Sequence, residues 1–299
     1  MDKNNVEGNK MNINWYPGHM AKTRRQILED LKIIDVVIEL LDARIPYSSR
    51  NPDIRELTKN KKRIILLNKS DLADEKVTNM WVEHFIKKGE NVLVTDSATG
   101  KGIEKVNKKI TDIMADELAK KAAKGIKNKT IRVMILGIPN VGKSSFINRV
   151  SKKVSMVVGN KPGVTRQKQW IRIGTNQELL DTPGVLWPKF ESEEVGLNLA
   201  YTGTIKDDIL ERIEIAYNCL NKIYKEYKSN VIERYKITEE ELANLENSSN
   251  NFIYDLMLLI GKKRGAIVSG GRVDEEKVAR IILDDFRSGK LGRISLERP

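Results

Sequence analysis

Short β-branched apolar runs alternate along the chain with stretches in which apolar residues recur at helical spacing, so strands and helices take turns. The first run, Ile33-Ile-Asp-Val-Val-Ile-Glu-Leu-Leu41, predicts a buried strand that ends in a loop at Asp42-Ala-Arg-Ile-Pro46. A short helix over residues 19–31 precedes it, after a polar, Asn-rich tail over 1–14. Residues 51–60 predict a helix with Pro52 near its start, and Arg63-Ile-Ile-Leu-Leu67 a second strand. A helix over 74–88, a third strand over 91–95 and a long helix over 102–123 follow. The stretch 120–130 is basic and broken at Gly125, which reads as a linker. A fourth strand over 131–136 enters a Gly-rich turn and a helix from Lys143, and two further strands are expected in 169–173 and 178–180. Past Pro188 the strand signals fade, and 193–227, 238–245, 252–261 and 274–288 carry helical patterns. The predicted fold is α/β, with a doubly wound, mainly parallel sheet over 15–190 and a small all-α C-terminal domain over 191–299.

The turns at the strand ends carry the chemistry. Gly137-Ile-Pro-Asn-Val-Gly-Lys-Ser144 matches the phosphate-loop pattern G-x-x-x-x-G-K-[ST], after an apolar strand and before a helix. Gly137, Ile138, Pro139, Asn140, Val141, Gly142 and Lys143, with Ser144 and Ser145 opening the helix, would wrap a chain of phosphates. Backbone N–H groups and the helix N-terminus supply the positive potential. Lys143 would reach the β- and γ-phosphates, and Ser144 would offer its hydroxyl to Mg²⁺. Asp181-Thr-Pro-Gly184 follows the apolar pair Leu179 and Leu180. An aspartate at a strand end facing a phosphate loop organises Mg²⁺, and the Gly184 N–H would meet the γ-phosphate. Alone, that tetrapeptide is only a turn.

Asn68-Lys-Ser-Asp71 ends the second strand. The Asp71 carboxylate can accept from guanine N1–H and the N2 amine together, a donor pair that adenine lacks, so an ATPase reading is disfavoured. Lys69 can lay its aliphatic stem across the base. In Ser97-Ala-Thr-Gly100, beyond the third strand, Ser97, Ala98 and Thr99 complete the base site, with the Ala98 N–H aimed at guanine O6. Each tetrapeptide is weak by itself. Directed together at one molecule from several strand ends, they specify GTP or GDP.

Composition narrows the setting. The formal net charge is +12, which calls for a polyanionic partner such as nucleic acid or else serves solubility. The basic runs 120–129, 152–168, 262–264 and 287–298 are dispersed, and no aromatic platform for reading single strands accompanies them. Any one of these runs fits a solvated face better than an RNA site. One cysteine, Cys219, and two histidines, His19 and His84, offer neither a disulfide framework nor an imidazole-rich metal site. No apolar run has the length of a membrane span, and residues 1–20 lack the apolar core of a signal peptide, so a cytoplasmic protein is expected. A monomer is expected as well.

With these motifs in view the chain resembles the translation-factor-related P-loop GTPases. In most of that class the phosphate loop precedes Asn-Lys-x-Asp, whereas here Asn68–Asp71 and Ser97–Thr99 come before Gly137–Ser144, Thr165 and Asp181–Gly184. That order is the mark of the circularly permuted GTPases. Trp15-Tyr-Pro-Gly-His-Met-Ala-Lys22, Asp42-Ala-Arg-Ile-Pro46 and the terminal Asp285-Phe-Arg-Ser-Gly-Lys-Leu-Gly-Arg-Ile-Ser-Leu-Glu297 resemble the bacterial ribosome-assembly members. The resemblance covers residues 13–299. It implies GTP hydrolysis coupled to maturation of the large ribosomal subunit, stimulated by that particle or its precursor, with the helical domain on ribosomal RNA. A factor that binds RNA under nucleotide control and seldom turns over is the rival expectation.

Val185 stands where Ras-like proteins carry a glutamine, so another group must orient the attacking water. The resemblance implies His19, whose alternatives are capping the following helix or touching RNA. It also implies that Asn140, beyond stabilising its turn, ligates an activating K⁺. Thr165, following Lys161-Pro-Gly-Val, would ligate Mg²⁺ in the GTP state or else stand in solvent.

Overall fold

The computed structural model describes residues 17–126, 128–151, 170–182, 184, 190, 192–205 and 212–299. Its sheet consists of β1 (Val36–Asp42), β2 (Lys62–Asn68), β3 (Asn91–Val94), β4 (Ile131–Leu136), β5 (Trp170–Gly174) and β6 (Gln177–Leu180), in the order β3-β2-β1-β4-β6-β5. Every pairing is parallel except the β5–β6 hairpin. This is the doubly wound sheet expected. β1 is buried along its whole length, as a central parallel strand covered on both faces must be. The charged Glu39 inside it is tolerated because Arg50 grips its carboxylate with two hydrogen bonds, at 3.1 and 3.2 Å.

After β1 the chain works outward through β2 and β3, then returns to lay β4 on the other side of β1. The loops leaving β1 and β4 therefore diverge and open a crevice at the carboxyl ends of the strands, the place where open α/β sheets bind ligands.

The helices α1 (Pro17–Leu31), α2 (Pro52–Leu57), α3 (Glu75–Lys87), α4 (Glu104–Ala123) and α5 (Lys143–Ser151) accompany the sheet. Two boundaries differ from expectation. α1 begins at Pro17, not at residue 19, since proline at the first helical position sacrifices no hydrogen bond. The linker read over 120–130 shortens, because α4 runs on through Ala123. It ends where Gly125, at φ 83°, donates to Ala122 O while Ile126 N bonds Lys121 O.

Beyond β6 the described residues form α6 (Glu193–Tyr201), α7 (Arg212–Glu226), α8 (Lys228–Tyr235), α9 (Glu239–Ser248), α10 (Phe252–Lys263) and α11 (Glu275–Arg287). The helical pattern expected over 193–227 is thus broken after Tyr201, and α8 is an addition to the predicted set. A continuous cluster of buried side chains runs from Val36 and Ile38 in the sheet to Leu199, Leu220 and Phe286 in the helices. The last residues of the chain return to the loops at the carboxyl ends of β1 and β2. Among the described residues no helix is long and apolar enough to cross a membrane.

Candidate functional site

Four strand-end loops meet at the crevice. Asp42 and Asn68 end β1 and β2 in register, β3 leads into Ser97, and β4 leads into the Gly137–Ser144 loop. Asn68 joins them. Its Nδ2 donates to Val141 O of the phosphate loop at 2.9 Å, and its Oδ1 accepts from Ser97 N at 3.0 Å and Ser97 Oγ at 2.7 Å. The Asn68 side chain, read as part of the guanine site, is therefore buried and spent on holding the phosphate loop to the Ser97 loop. Arg149, from α5, adds a second tie by donating to Ala98 O.

In the phosphate loop Ile138 and Val141 are buried anchors, while Ser144 and Ser145 face out from the first turn of α5. Asn140 adopts φ 58°, a left-handed conformation that asparagine tolerates. Lys143 is buried, and its Nζ donates to Gly137 O at 2.9 Å. Burial pushes its ammonium down to a pKa of about 8, against the opposing pull of Asp181. A buried ammonium gains from any group that brings negative charge to it. Asp181, at the exposed end of β6, is raised by desolvation, with Lys143 acting in the other direction. Gly184 abuts the loop so closely that a Cβ there would lie 2.9 Å from Lys143 Nζ and 3.0 Å from Pro139 N. Thr165 and Val185 lie outside the described residues. His19 falls in the first turn of α1, and its side chain lies outside what is described.

In the Asn68–Asp71 turn, Lys69 has φ 59° and its Nζ pairs with Asp42 Oδ2 at 3.1 Å. Burial alone would raise the Asp42 pKa, but Arg44 and Lys69 outweigh it and hold the carboxylate well below its usual range. Asp71 is exposed, and among the described residues no side chain bonds its carboxylate. Its pKa is raised by desolvation and by Asp96. A carboxylate whose charge is disfavoured gains from a ligand with donors. The Ala98 N–H, expected to face guanine O6, is here turned to Asp96 Oδ1 at 2.8 Å, and Thr99 hydrogen-bonds the same carboxylate.

Several residues that sequence reading left without a role bind this frame together. Arg44 is buried, chelates Asp42 through Nε and Nη2 at 3.0 and 2.8 Å, and lies over the Phe286 ring of α11 at 5.1 Å. The Glu297 carboxylate, half-buried near the chain end, accepts from Tyr47 N at 2.7 Å and Asn198 Nδ2 at 2.9 Å. Burial raises its pKa. The quoted Asp42–Pro46 and Asp285–Glu297 strings were the available signal, because both return here as contact partners. Part of the terminal basic run is consumed internally. Arg287 bonds Tyr201 O and Ala200 O, and Arg293 bonds Ser70 O and Ala73 O.

The family described as 50S ribosome-binding GTPase matches residues 132–256. The chain is 46% identical over 291 residues to ribosome biogenesis GTPase A of Bacillus licheniformis, across 97% of this chain and 99% of that protein. It is 34% identical to ribosome biogenesis GTPase A of Thermotoga maritima, across 96% and 95%. Two solved YlqF structures, one GDP-bound and one GNP-bound from T. maritima, are 28% identical to it. They cover 92% and 93% of this chain and 99% and 98% of their own, with TM-scores of 0.67 and 0.63.

Proposed function

The chain belongs to the ribosome biogenesis GTPase A family and is a GTPase, and from that premise we propose an assembly switch for the large ribosomal subunit whose hydrolysis the ribosomal particle stimulates. The convergence of the Ser97 loop and the phosphate loop on Asn68, with Asp181 and Gly184 beside Lys143, carries this reading.

In it, Gly137–Ser145 cradle the phosphates, Lys143 neutralises the β- and γ-oxygens, and Gly184 senses the γ-phosphate at close range. The Ser144 hydroxyl and Asp181 carboxylate are both hard oxygen donors, a set that fits Mg²⁺, with Thr165 as a further ligand. When bound, that ion offsets charge on the transferring phosphoryl group. Asn140, through Oδ1, would hold K⁺, which supplies charge that an arginine finger otherwise brings. His19 orients the attacking water. Asp71 and Lys69 hold guanine, with Ala98 and Thr99 at its rim and Ser97 and Asn68 behind.

The helical residues 191–299 serve as the RNA-binding domain, acting in the cytoplasm. Lys262, Arg264 and Arg272 are exposed at and between α10 and α11, which supports phosphate contact there. The testing experiment is GTP hydrolysis by the protein alone and with large ribosomal subunits, each in K⁺ and in Na⁺. Stimulation by the particle is expected, greater in K⁺, and reduced in His19→Ala without loss of GTP affinity. Equal turnover with and without the particle would overturn the coupling.

A further inference from the structure

The loop carrying Asp71 is held from outside by the end of the chain. Arg293 Nη2 donates to Ser70 O at 3.0 Å and its Nε to Ala73 O at 2.8 Å, so one guanidinium bridges the two carbonyls that flank Asp71 and Leu72. The next residues continue the seam. Ile294 N donates to Leu72 O at 2.9 Å, and Ser295 Oγ accepts from Asp74 N at 3.1 Å. On the inner side Ser70 N donates to Thr95 O at 3.3 Å. Asp71, between these fixed points, keeps an exposed carboxylate.

We propose that Arg293 is a specificity-positioning residue for the base. It fixes the turn that aims the Asp71 carboxylate, so that both its oxygens meet the N1–H and 2-amino donors of guanine in one plane. This rests on the guanine assignment of Asp71 made above. The guanidinium suits the task because it is planar, always charged and presents donors at fixed spacing, whereas an ammonium cannot hold two carbonyls in one plane. Without it the turn bends and the two-point contact loosens, although every group that touches the nucleotide is still present. Because GDP and GTP share the base, both lose equally.

The test measures binding of GDP, GTP, IDP and ADP to the full-length protein and to Arg293→Ala and Arg293→Lys, alongside each protein's melting temperature. Inosine keeps N1–H but lacks the 2-amino group, so the GDP-to-IDP affinity ratio reports the 2-amino half of the Asp71 contact. Arg293→Ala is expected to weaken GDP and GTP alike by about tenfold, the scale of a lost charge-assisted hydrogen bond, and to narrow the GDP-to-IDP ratio. Arg293→Lys should shift both in the same direction by less, and it answers the question if the alanine variant does not fold. A lowered melting temperature with an unchanged GDP-to-IDP ratio would make Arg293 a merely structural contact and overturn the proposal. Wild-type protein that fails to prefer GDP over IDP and ADP would instead remove the guanine reading itself.

Discussion

Asn140 of the phosphate loop donates its Nδ2 to the backbone oxygen of Gly203, just past the end of α6, at 2.6 Å. The proposed K⁺ ligand is thereby tied to the helical part of the chain. The amide nitrogen is used in that bond, and Oδ1 is the atom a cation would need. Asn140→Ala should abolish the difference between K⁺ and Na⁺ in hydrolysis. Asn140→Asp, which keeps the oxygen and loses the donor, should retain it. Steady-state turnover in the two salts checks both, and a cation preference surviving in the alanine variant would rule Asn140 out as the ligand.

Gly184 leaves no room for a side chain against Lys143 and Pro139. The Pro139 backbone cannot yield as a flexible side chain would. Gly184→Ala is therefore expected to fold, to bind GDP nearly as wild type, and to lose about tenfold or more in affinity for a non-hydrolysable GTP analogue, the scale of one lost hydrogen bond to a charged group. Equal affinity losses for the two nucleotides would show that Gly184 does not sense the γ-phosphate.

Asp71 supplies acceptors only, matching guanine's two donors. An asparagine side chain in its place would supply an acceptor and a donor, which match xanthine's N1–H and 2-oxo group. Asp71→Asn should lower GTP affinity by about a hundredfold and raise that for xanthosine triphosphate, because each mismatched site buries an unpaired polar group. Competition binding reads the switch directly.

The buried Lys143 ammonium titrates near 8 rather than at 10.5. Below about 8 it is charged in the folded and unfolded states alike, and the desolvation cost on stability is fully present. Between about 8 and 10.5 the unfolded chain holds the extra proton, so the nucleotide-free protein should gain stability as pH rises through that window. Nucleotide binding runs the opposite way, since phosphates favour the charged form. Above about 8 GDP affinity should fall and binding should take up a proton. Calorimetry in buffers of differing ionisation enthalpy measures that uptake, and none at alkaline pH would contradict the assignment.

Arg44 and Asp42 form a buried pair with side-chain exposures of 1% and 3%. Arg44→Met removes the guanidinium and leaves Asp42 with Lys69 and the backbone N–H of residue 44. Chemical denaturation should register a loss of about 3–5 kcal/mol, the usual result of breaking one side of a buried pair. Since the Asp42 pKa is depressed, the pair's stabilisation is fully present above the ordinary carboxylate range and is lost only in strong acid.

The apolar runs were enough to place β1, β2 and β4, because a central parallel strand covered on both faces must be almost continuously apolar whatever its neighbours. The phosphate loop and the Asp71 motif were legible for a similar reason. Their chemistry is carried by a few adjacent residues, and it survives permutation of the chain because each loop needs only its own strand end. The helix boundaries at Pro17 and after Ala123 were less legible, since capping is settled by single hydrogen bonds.

What the tertiary structure alone decided is the set of residues that hold the loops in place. Asn68 reaches Val141 across 73 positions, Arg293 reaches Ser70 across 223, and Glu297 reaches Ser48 across 249. No local pattern encodes such pairs. Neither partner carries a local mark of the other, Val141 giving only its backbone carbonyl, and the pairing exists only because the sheet order and the returning chain end bring the two together.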